Sequence, residues 1–248
     1  MSRPALLDVR ALEAGYDTER RIVAVRKVSF NVAPGEFLGI AGESGCGKST
    51  LAFSIANMMR PPARIFSGSV LFEGRELVRQ TDDEMRELRW KEISIVFQAS
   101  MNVLNPVMKI KDQIFDAITH HTNKYDGRLE ARARELFQYV DISPRYLDAY
   151  PHQLSGGMKQ RVVIATALAL EPKLVIMDEP TTALDVVVQR RILQRIAELR
   201  EKMGFSIIFI THDLSLLVEI SDSLKHNLPG ARHVESSDEP SDGRLARA

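Results

Sequence analysis

The sequence has very little cysteine and no excess of charge of either sign. Cys46 is the single cysteine among 248 residues, which excludes an internal disulfide and a zinc or iron–sulfur site built from several cysteines of one chain. A reducing compartment is therefore the simplest expectation. Lysine plus arginine equals aspartate plus glutamate, at 33 residues each. This balance argues against a broad basic surface for nucleic acid, although it leaves a local basic patch open.

Long apolar runs are also missing. The longest candidates, Val162–Leu170 and Phe205–Ile210, fall well short of the roughly 18 consecutive apolar residues of a membrane-spanning helix. The N-terminal stretch MSRPALLDVRALEAG lacks the apolar core of a signal peptide. Apolar residues make up 44% and charged residues 27% of the chain, which is an ordinary soluble composition. The length is ample for a full hydrophobic core, in one large domain or in a domain with an insertion.

Short apolar runs alternate with segments of helical periodicity along the chain. The predicted strands are Leu6–Leu12 (as an edge strand), Val28–Val32, Glu36–Ala41, Ser69–Phe72, Ile93–Phe97, Leu174–Met177 and Phe205–Ile210. The predicted helices are Lys48–Met59, a short helix opened by the capping box Thr81–Glu84, Lys109–Val140 with a break at Asp126-Gly127, Ser155–Leu170, and one that carries Ile192, Ile196, Leu199 and Met203 on one face. Strands that alternate with helices predict an α/β fold with a parallel sheet. Residues from about 98 to 157 are predicted to form a helical insertion in this sheet.

The stretch GESGCGKS, from Gly42 to Ser49, matches the phosphate-binding P-loop pattern G-x-x-x-x-G-K-[ST]. Glycines let backbone N–H groups surround phosphate oxygens, Lys48 neutralises charge on the terminal phosphates, and the Ser49 hydroxyl can ligate Mg²⁺. The motif lies between a predicted strand and a predicted helix, which is the context it requires. The alternative is a glycine-rich turn with a chance lysine. The predicted phosphate contacts are Gly42, Glu43, Ser44, Gly45, Cys46, Gly47, Lys48, Ser49 and Thr50.

Two carboxylates, Asp178 and Glu179, end the apolar strand LVIM. The carboxyl edge of a parallel sheet is where ligands bind. Asp178 suits a Mg²⁺ holder, and Glu179 suits the general base that polarises an attacking water. The alternative is a solvated acidic turn before Pro180.

Three further residues are weaker candidates for the same site. Gln98 ends a predicted strand, and its amide could orient a water or touch Mg²⁺, or simply cap the strand. His212 follows another apolar strand and could reach a γ-phosphate, although a lone histidine is more often structural. Tyr16 could stack on an adenine ring or be an ordinary surface aromatic.

A second anion-binding pattern lies in QLSGGMKQR, from Gln153 to Arg161. A serine and two glycines, Ser155, Gly156 and Gly157, immediately precede an apolar helix. Such a helix start is suited to hold an anion. The chain therefore contains two phosphate cradles, which raises the question of what the second one binds.

Taken together, these motifs resemble the ATP-binding subunits of ABC transporters over about Leu6–Leu224. The P-loop, Gln98, the signature LSGGMKQ (Leu154–Gln160), Asp178-Glu179, the Ala183–Asp185 loop and His212 occur in the order and at the spacing of that family. In this family two subunits pair head to tail. The P-loop of one subunit and the signature of the other then enclose each ATP.

The resemblance implies an α/β fold with a P-loop NTPase (RecA-like) parallel sheet, an N-terminal antiparallel β region and an inserted α-helical subdomain. It implies an ATP-binding core over residues 1–97 and 158–224 and a helical subdomain over 98–157. ATP and Mg²⁺ are the implied cofactors, with Mg²⁺ held by Ser49, Gln98 and Asp178. Glu179, His212 and Gln98 are the implied catalytic residues. Tyr16, the P-loop and the signature residues Ser155, Gly156 and Gly157 are the implied nucleotide contacts.

A finer resemblance concerns the dipeptide, oligopeptide and nickel importer subfamily, through GIAGESGCG (Gly39–Gly47) and QASMNVLNPVM (Gln98–Met108). It places Asn102–Pro106 near a membrane subunit. The implied partners are a second ATPase subunit, identical or related, transmembrane permease subunits and, indirectly, an extracytoplasmic substrate-binding protein. No nucleic acid is expected, and the expected location is the cytoplasmic face of the cell membrane. The alternative is a soluble ABC ATPase that acts on nucleic acid or ribosomes.

The C-terminal end departs from the family pattern. After Leu224 the family continues with an apolar strand, whereas this chain reads KHNLPGARHVESSDEPSDGRLARA. The polar composition predicts a mobile, protease-sensitive tail over residues 225–248 that cannot supply that strand.

Overall fold

The computed structural model of the protein describes residues 5–97, 103–122, 128–180, 186–226 and 233–234. Within these residues, two sheets are flanked by helices, which confirms the predicted α/β fold. None of the helices in the described ranges combines the length and apolarity that crossing a bilayer would need.

The N-terminal sheet is antiparallel and has the strand order β2-β1-β4-β5. Its strands are β1 (Leu7–Asp17), β2 (Arg21–Val32), β4 (Ala63–Phe72) and β5 (Arg75–Glu76). The predicted antiparallel region is thus confirmed, but the prediction of an edge strand at its start is wrong. Strand β1 bonds to β2 on one side and to β4 on the other, and its buried residues face an apolar layer.

In the part of the chain that the structure describes, the main sheet has six strands in the order β10-β9-β3-β8-β7-β6. They are β3 (Phe37–Ala41), β6 (Ile93–Val96), β7 (Leu174–Asp178), β8 (Ser206–Thr211), β9 (Ser223–His226) and β10 (His233–Val234). All pairings are parallel except that of β10 with β9. Every residue of β3, β7 and β8 is buried, as continuous apolar runs predict for a sheet covered on both faces.

Seven α-helices lie within the described ranges, and most match the predicted ones. They are α1 (Lys48–Ile55), α2 (Asp82–Leu88), α3 (Ile110–Thr122), α4 (Leu129–Tyr139), α5 (Gly156–Ala167), α6 (Val186–Met203) and α7 (Leu214–Ile220). The capping box is confirmed, since the N–H of Glu84 donates to Thr81 Oγ1 and the N–H of Thr81 donates to Glu84 Oε2. Helix α1 ends earlier than predicted because Asn57 adopts a left-handed backbone with φ of 49°. The predicted break at Asp126-Gly127 lies outside the described residues.

The prediction that the tail supplies no strand is wrong for its first residues. Strand β9 pairs in parallel with β3, with Lys225 opposite Ile40 and His226 opposite Ala41. Strand formation here follows from the open edge of β3, whose backbone groups require partners whatever the side chains of the incoming segment are. The rest of the predicted mobile tail lies outside the described residues, apart from the two residues of β10.

Candidate functional site

The P-loop connects the buried strand β3 to helix α1. Gly45 and Gly47 adopt φ values of 81° and 99°, a region that favours glycine. A Cβ atom on Gly47 would lie 2.3 Å from the carbonyl oxygen of Ala24 in β2. The motif therefore needs glycine at position 47 both for its backbone conformation and for the close approach of the neighbouring strand.

Lys48 is the most constrained side chain of the P-loop. It is only 5% exposed, and its Nζ donates to the carbonyl oxygens of Gly42 and Glu43, both at 2.8 Å. The same Nζ lies 3.9 Å from Cys46 Sγ and 3.9 Å from Glu179 Oε1. Carbonyl groups of the loop thus accept hydrogen bonds from the Lys48 ammonium, and a buried charged group requires such partners.

Asp178 is the last residue of β7 and lies at the carboxyl edge of the main sheet, as the P-loop does. Its side chain is buried, and Oδ1 has no hydrogen-bond partner within the described part of the chain. Burial raises the pKa of the Asp178 carboxyl above its ordinary value, and the hydrogen bond with the Ser49 side chain opposes that rise. A buried carboxylate oxygen without a partner, beside a serine hydroxyl, is a donor set that fits Mg²⁺.

Glu179 occupies a strained backbone position at the end of β7, with φ of 46°. Its N–H donates to the carbonyl of Ile210 in β8 at 2.9 Å, which anchors the turn to the neighbouring strand. The carboxylate reaches two cationic or titratable groups: Oε1 is 3.9 Å from Lys48 Nζ, and Oε2 is 3.6 Å from His212 Nδ1. The structure therefore brings together three residues that the sequence predicted separately.

His212 follows β8 and begins the turn into α7. Its side chain is 59% exposed, so it lies at the mouth of the cluster rather than in the core. The next residue, Asp213, caps α7 by accepting the N–H of Ser215 at 2.9 Å. The cap fixes the backbone that presents His212 toward Glu179.

Tyr16 lies apart from this cluster, near the end of β1. Its Cα pairs with Ile22 of β2 and with Ala63 of β4, and it is 40% exposed. The described residues include no hydrogen bond or ion pair between Tyr16 and the P-loop. Its ring is available for stacking, and the predicted adenine contact stays a prediction.

The signature forms the start of helix α5. Ser155 is the N-cap, and its Oγ accepts the N–H of Met158 at 3.3 Å. Gly156 and Gly157 form the first turn; Ser155 and Gly156 are exposed and Gly157 is half-buried. The described contacts of Lys48 go to its own loop and to Glu179, and none goes to the signature. In the described residues, the lysine of the P-loop and the signature of the same chain therefore make no direct contact.

Two sequence predictions cannot be placed. Gln98 and the Ala183–Asp185 loop lie outside the described residues. Sequence analysis assigned Lys48, Glu179 and His212 to one ATP site, but it did not predict the direct contacts of Glu179 with the other two, because the three residues belong to distant segments. The only sequence signal for these contacts is that each residue follows a buried strand of the same parallel sheet.

Comparison with known proteins identifies the family and the fold. The family model described as ABC transporter matches residues 25–182. The dimeric structure of the bacterial ABC transporter cassette MJ0796 superposes with a TM-score of 0.79 at 29% identity, and covers 89% of this chain and 94% of that one. A structure of the same cassette in a post-hydrolysis state bound to ADP and Pi has a TM-score of 0.78. These neighbours confirm the P-loop NTPase fold.

The similar curated proteins are ATP-binding proteins of peptide transport. The probable peptide ABC transporter ATP-binding protein y4tR of Sinorhizobium fredii is 44% identical, over 86% of this chain and 65% of its own length. The oligopeptide transport ATP-binding protein OppD of Bacillus subtilis is 43% identical, over 88% of this chain and 62% of its own length. The chain thus spans a little under two thirds of the length of these relatives. The matching family model, the fold and the assembled site lead to one conclusion: this chain belongs to the ABC transporter family.

Proposed function

We propose that this chain binds and hydrolyses ATP as the ATP-binding subunit of a peptide importer. The observation that carries the proposal is the convergence of Lys48, Asp178, Glu179 and His212 at the carboxyl edge of the main sheet. A buried lysine in a phosphate loop, a carboxylate suited to Mg²⁺ and a carboxylate suited to activate water are the parts that phosphoryl transfer to water requires. The post-hydrolysis state of the similar cassette supports the same reaction.

Each residue has a proposed role in this chemistry. Lys48 neutralises the terminal phosphates, Ser49 and Asp178 hold Mg²⁺, and Glu179 accepts a proton from the attacking water. Bound Mg²⁺ would neutralise charge that develops on the phosphate oxygens. His212 orients the Glu179 carboxylate and contacts the γ-phosphate. Gln98, outside the described residues, is proposed as a further contact to water and Mg²⁺, and Tyr16 as the stacking partner of adenine.

The complete site is proposed to form between two subunits. The exposed start of α5, formed by Ser155, Gly156 and Gly157, offers N–H groups and the positive end of a helix dipole to an anion. Within one chain this surface is not in contact with the P-loop, so it is free to bind the γ-phosphate held by the partner subunit. The dimeric state of the similar cassette supports this arrangement. The partner is an identical or a related chain.

The import role rests on the relatives, whose names favour peptide transport over an activity on nucleic acid or ribosomes. We propose the core over residues 1–97 and 158–224 and the helical subdomain over 98–157 as the units that move in the cycle. The permease partners would contact a groove of about 450 Å³ beside Asn105, lined by Trp90, Leu104 and Met108 among others. This contact would hold the subunit at the cytoplasmic face of the membrane. A substrate-binding protein would act only through the permease.

A substitution in the groove should release the subunit from membranes. Val103 lines the groove and is 72% exposed, and Val103→Asp would place a charge in an apolar contact. We expect the variant to shift from the membrane pellet to the supernatant of its native cells, with its ATPase activity in the purified state unchanged. Val218→Asp is the matched control, since Val218 is similarly exposed, at 73%, on α7. Wild-type protein found only in the supernatant would contradict the import role.

Cys46 provides a direct test of nucleotide binding in the P-loop. Its half-buried thiol lies 3.9 Å from Lys48 Nζ, so bound phosphates should block access to it. We expect maleimide to label the protein once, and Mg-ATP well above its Kd to slow labelling by about tenfold or more. Cys46→Ser gives the background. Labelling rates that are equal with and without Mg-ATP would contradict ATP binding at this loop.

A further inference from the structure

The C-terminal end of helix α4 is held by an arginine from helix α6. The last carbonyl groups of a helix have no partner within the helix. Arg195 of α6 donates hydrogen bonds to two of these carbonyl groups. Its Nε donates to the carbonyl of Tyr139 at 2.9 Å, and its Nη2 donates to the carbonyl of Gln138 at 3.4 Å. Its Nη1 also pairs with Glu198 at 2.6 Å, which fixes the guanidinium on α6.

A second arginine holds the residues that follow α4 to the signature helix. Arg161 lies one turn after Gly157 in α5, and its Nε donates to the carbonyl of Gly157 at 3.4 Å. Its Nη1 donates to the carbonyls of Val140 at 3.2 Å and Asp141 at 2.7 Å. One guanidinium therefore joins the first turn of the signature helix to the end of α4.

These two arginines border a cavity of about 330 Å³ between α5 and α6, whose lining also includes Val140 and Ile192. Buried apolar residues of the three helices, such as Phe137, Val162 and Ile192, belong to one core, and the arginine bonds add polar links between the helices at the border of this space. The links run from Gly157 through Arg161 to the end of α4, and from there through Arg195 to α6. Helix α6 is the next helix after Asp178 and Glu179 in the chain.

We propose that Arg161 and Arg195 are positioning residues that set the signature at the distance from α6 that the composite ATP site requires. The inference rests on the proposed function, because the signature is taken to act on nucleotide bound by the partner subunit. Catalysis is sensitive to such placement, since a shift of about 1 Å can cost on the order of 10²-fold in rate. Loss of either arginine therefore impairs the site that uses this chain's signature, and leaves the site that uses this chain's P-loop intact.

The competing explanation is that the arginines only cap α4. In that case the loss of an arginine would destabilise the whole chain that carries the substitution. Activity would then fall equally at the ATP site that uses this chain's P-loop and at the site that uses its signature. The two explanations differ in which site is affected, so the test needs a dimer with one working site of known composition. Such a dimer combines a Lys48→Ala chain, which gives the intact signature, with a Gly157→Asp chain, which gives the intact P-loop.

The experiment places Arg195→Ala in one chain of this dimer at a time and measures kcat and KM for ATP. In the Lys48→Ala chain we expect kcat to fall about five- to tenfold, as the loss of hydrogen bonds from a charged group predicts. In the Gly157→Asp chain we expect a change below about twofold, because that chain's signature is not in use. Arg161→Ala should show the same asymmetry, and Arg195→Lys should recover part of the loss.

Arg191→Ala is the matched control. Arg191 lies on α6 one turn before Arg195 and lines the same cavity, but it makes no hydrogen bond or ion pair in the ranges that the structure describes. We expect no effect from either placement. If the parent dimer is active, the inference would be overturned by equal losses of kcat with Arg195→Ala in either chain, or by no loss of kcat in either chain. An inactive parent dimer would instead overturn the composite site, and the inference with it.

Discussion

ATP hydrolysis should fall on the order of 10²–10⁴-fold in Glu179→Gln, the contribution of a positioned general base. The amide keeps the size of the side chain and its hydrogen-bonding capacity, but it cannot accept the proton of the attacking water. The carboxylate lies 3.9 Å from Lys48 Nζ and 3.6 Å from His212 Nδ1, at the edge of the sheet where the terminal phosphate would lie. ATP binding should remain, because Lys48 and the P-loop are unchanged.

The measurement is the steady-state ATPase rate of the purified complex, together with nucleotide binding and the oligomeric state in the presence of ATP. The variant should bind ATP and accumulate as closed dimers, since the reaction that reopens them is blocked. Glu201→Gln, an exposed change at the end of α6, is the control and should leave the rate unaltered. A Glu179→Gln rate within about threefold of the unmutated complex would show that Glu179 is not the base.

The parts of the fold that follow from local signals could be predicted from the sequence. The apolar runs of β3 and β7 predict strands buried on both faces, and the structure confirms them. The capping box at Thr81 is set by contacts within four residues, so its pattern alone suffices. The P-loop pattern also lies within one short segment, from Gly42 to Ser49, so it too could be predicted from the sequence.

Features that depend on distant segments could not be predicted in this way. Strand β9 forms although Ser223, Lys225 and His226 are polar, because β3 offers an open edge to it. Strand β1 is an interior strand because β4, which follows much later in the chain, pairs with its second side. The contacts of Glu179 with Lys48 and His212 require the parallel order of β3, β8 and β7. Alternation within a short window carries no information on any of these pairings.

The composite site predicts that two inactive chains restore activity when they are mixed. A Lys48→Ala chain loses the buried ammonium that the P-loop carbonyls hold at 2.8 Å. A Gly157→Asp chain places a carboxylate in the first turn of α5, where the γ-phosphate of the partner's nucleotide would lie, and repulsion in that poorly solvated cleft prevents binding. An acidic residue is favourable at a helix N-terminus, so Gly157→Asp should leave the fold of α5 intact.

Each variant should be inactive alone, because every site in its homodimer contains the defect. In a mixed dimer, one site combines both defects, and the other combines the intact P-loop of the Gly157→Asp chain with the intact signature of the Lys48→Ala chain. Random pairing of equal amounts would leave about one site in four intact. If the native partner is a related chain, the second substitution belongs in that partner.

The measurement that tests the central claim most directly is therefore the ATPase rate of the two variants, separately and after mixing. Cross-linking of the same samples establishes that mixed dimers are present. The composite site predicts near-zero rates for each variant alone and recovery of roughly a quarter of the unmutated rate in the mixture. A mixture that contains mixed dimers but shows no recovery would contradict it, and would leave the signature without its proposed role.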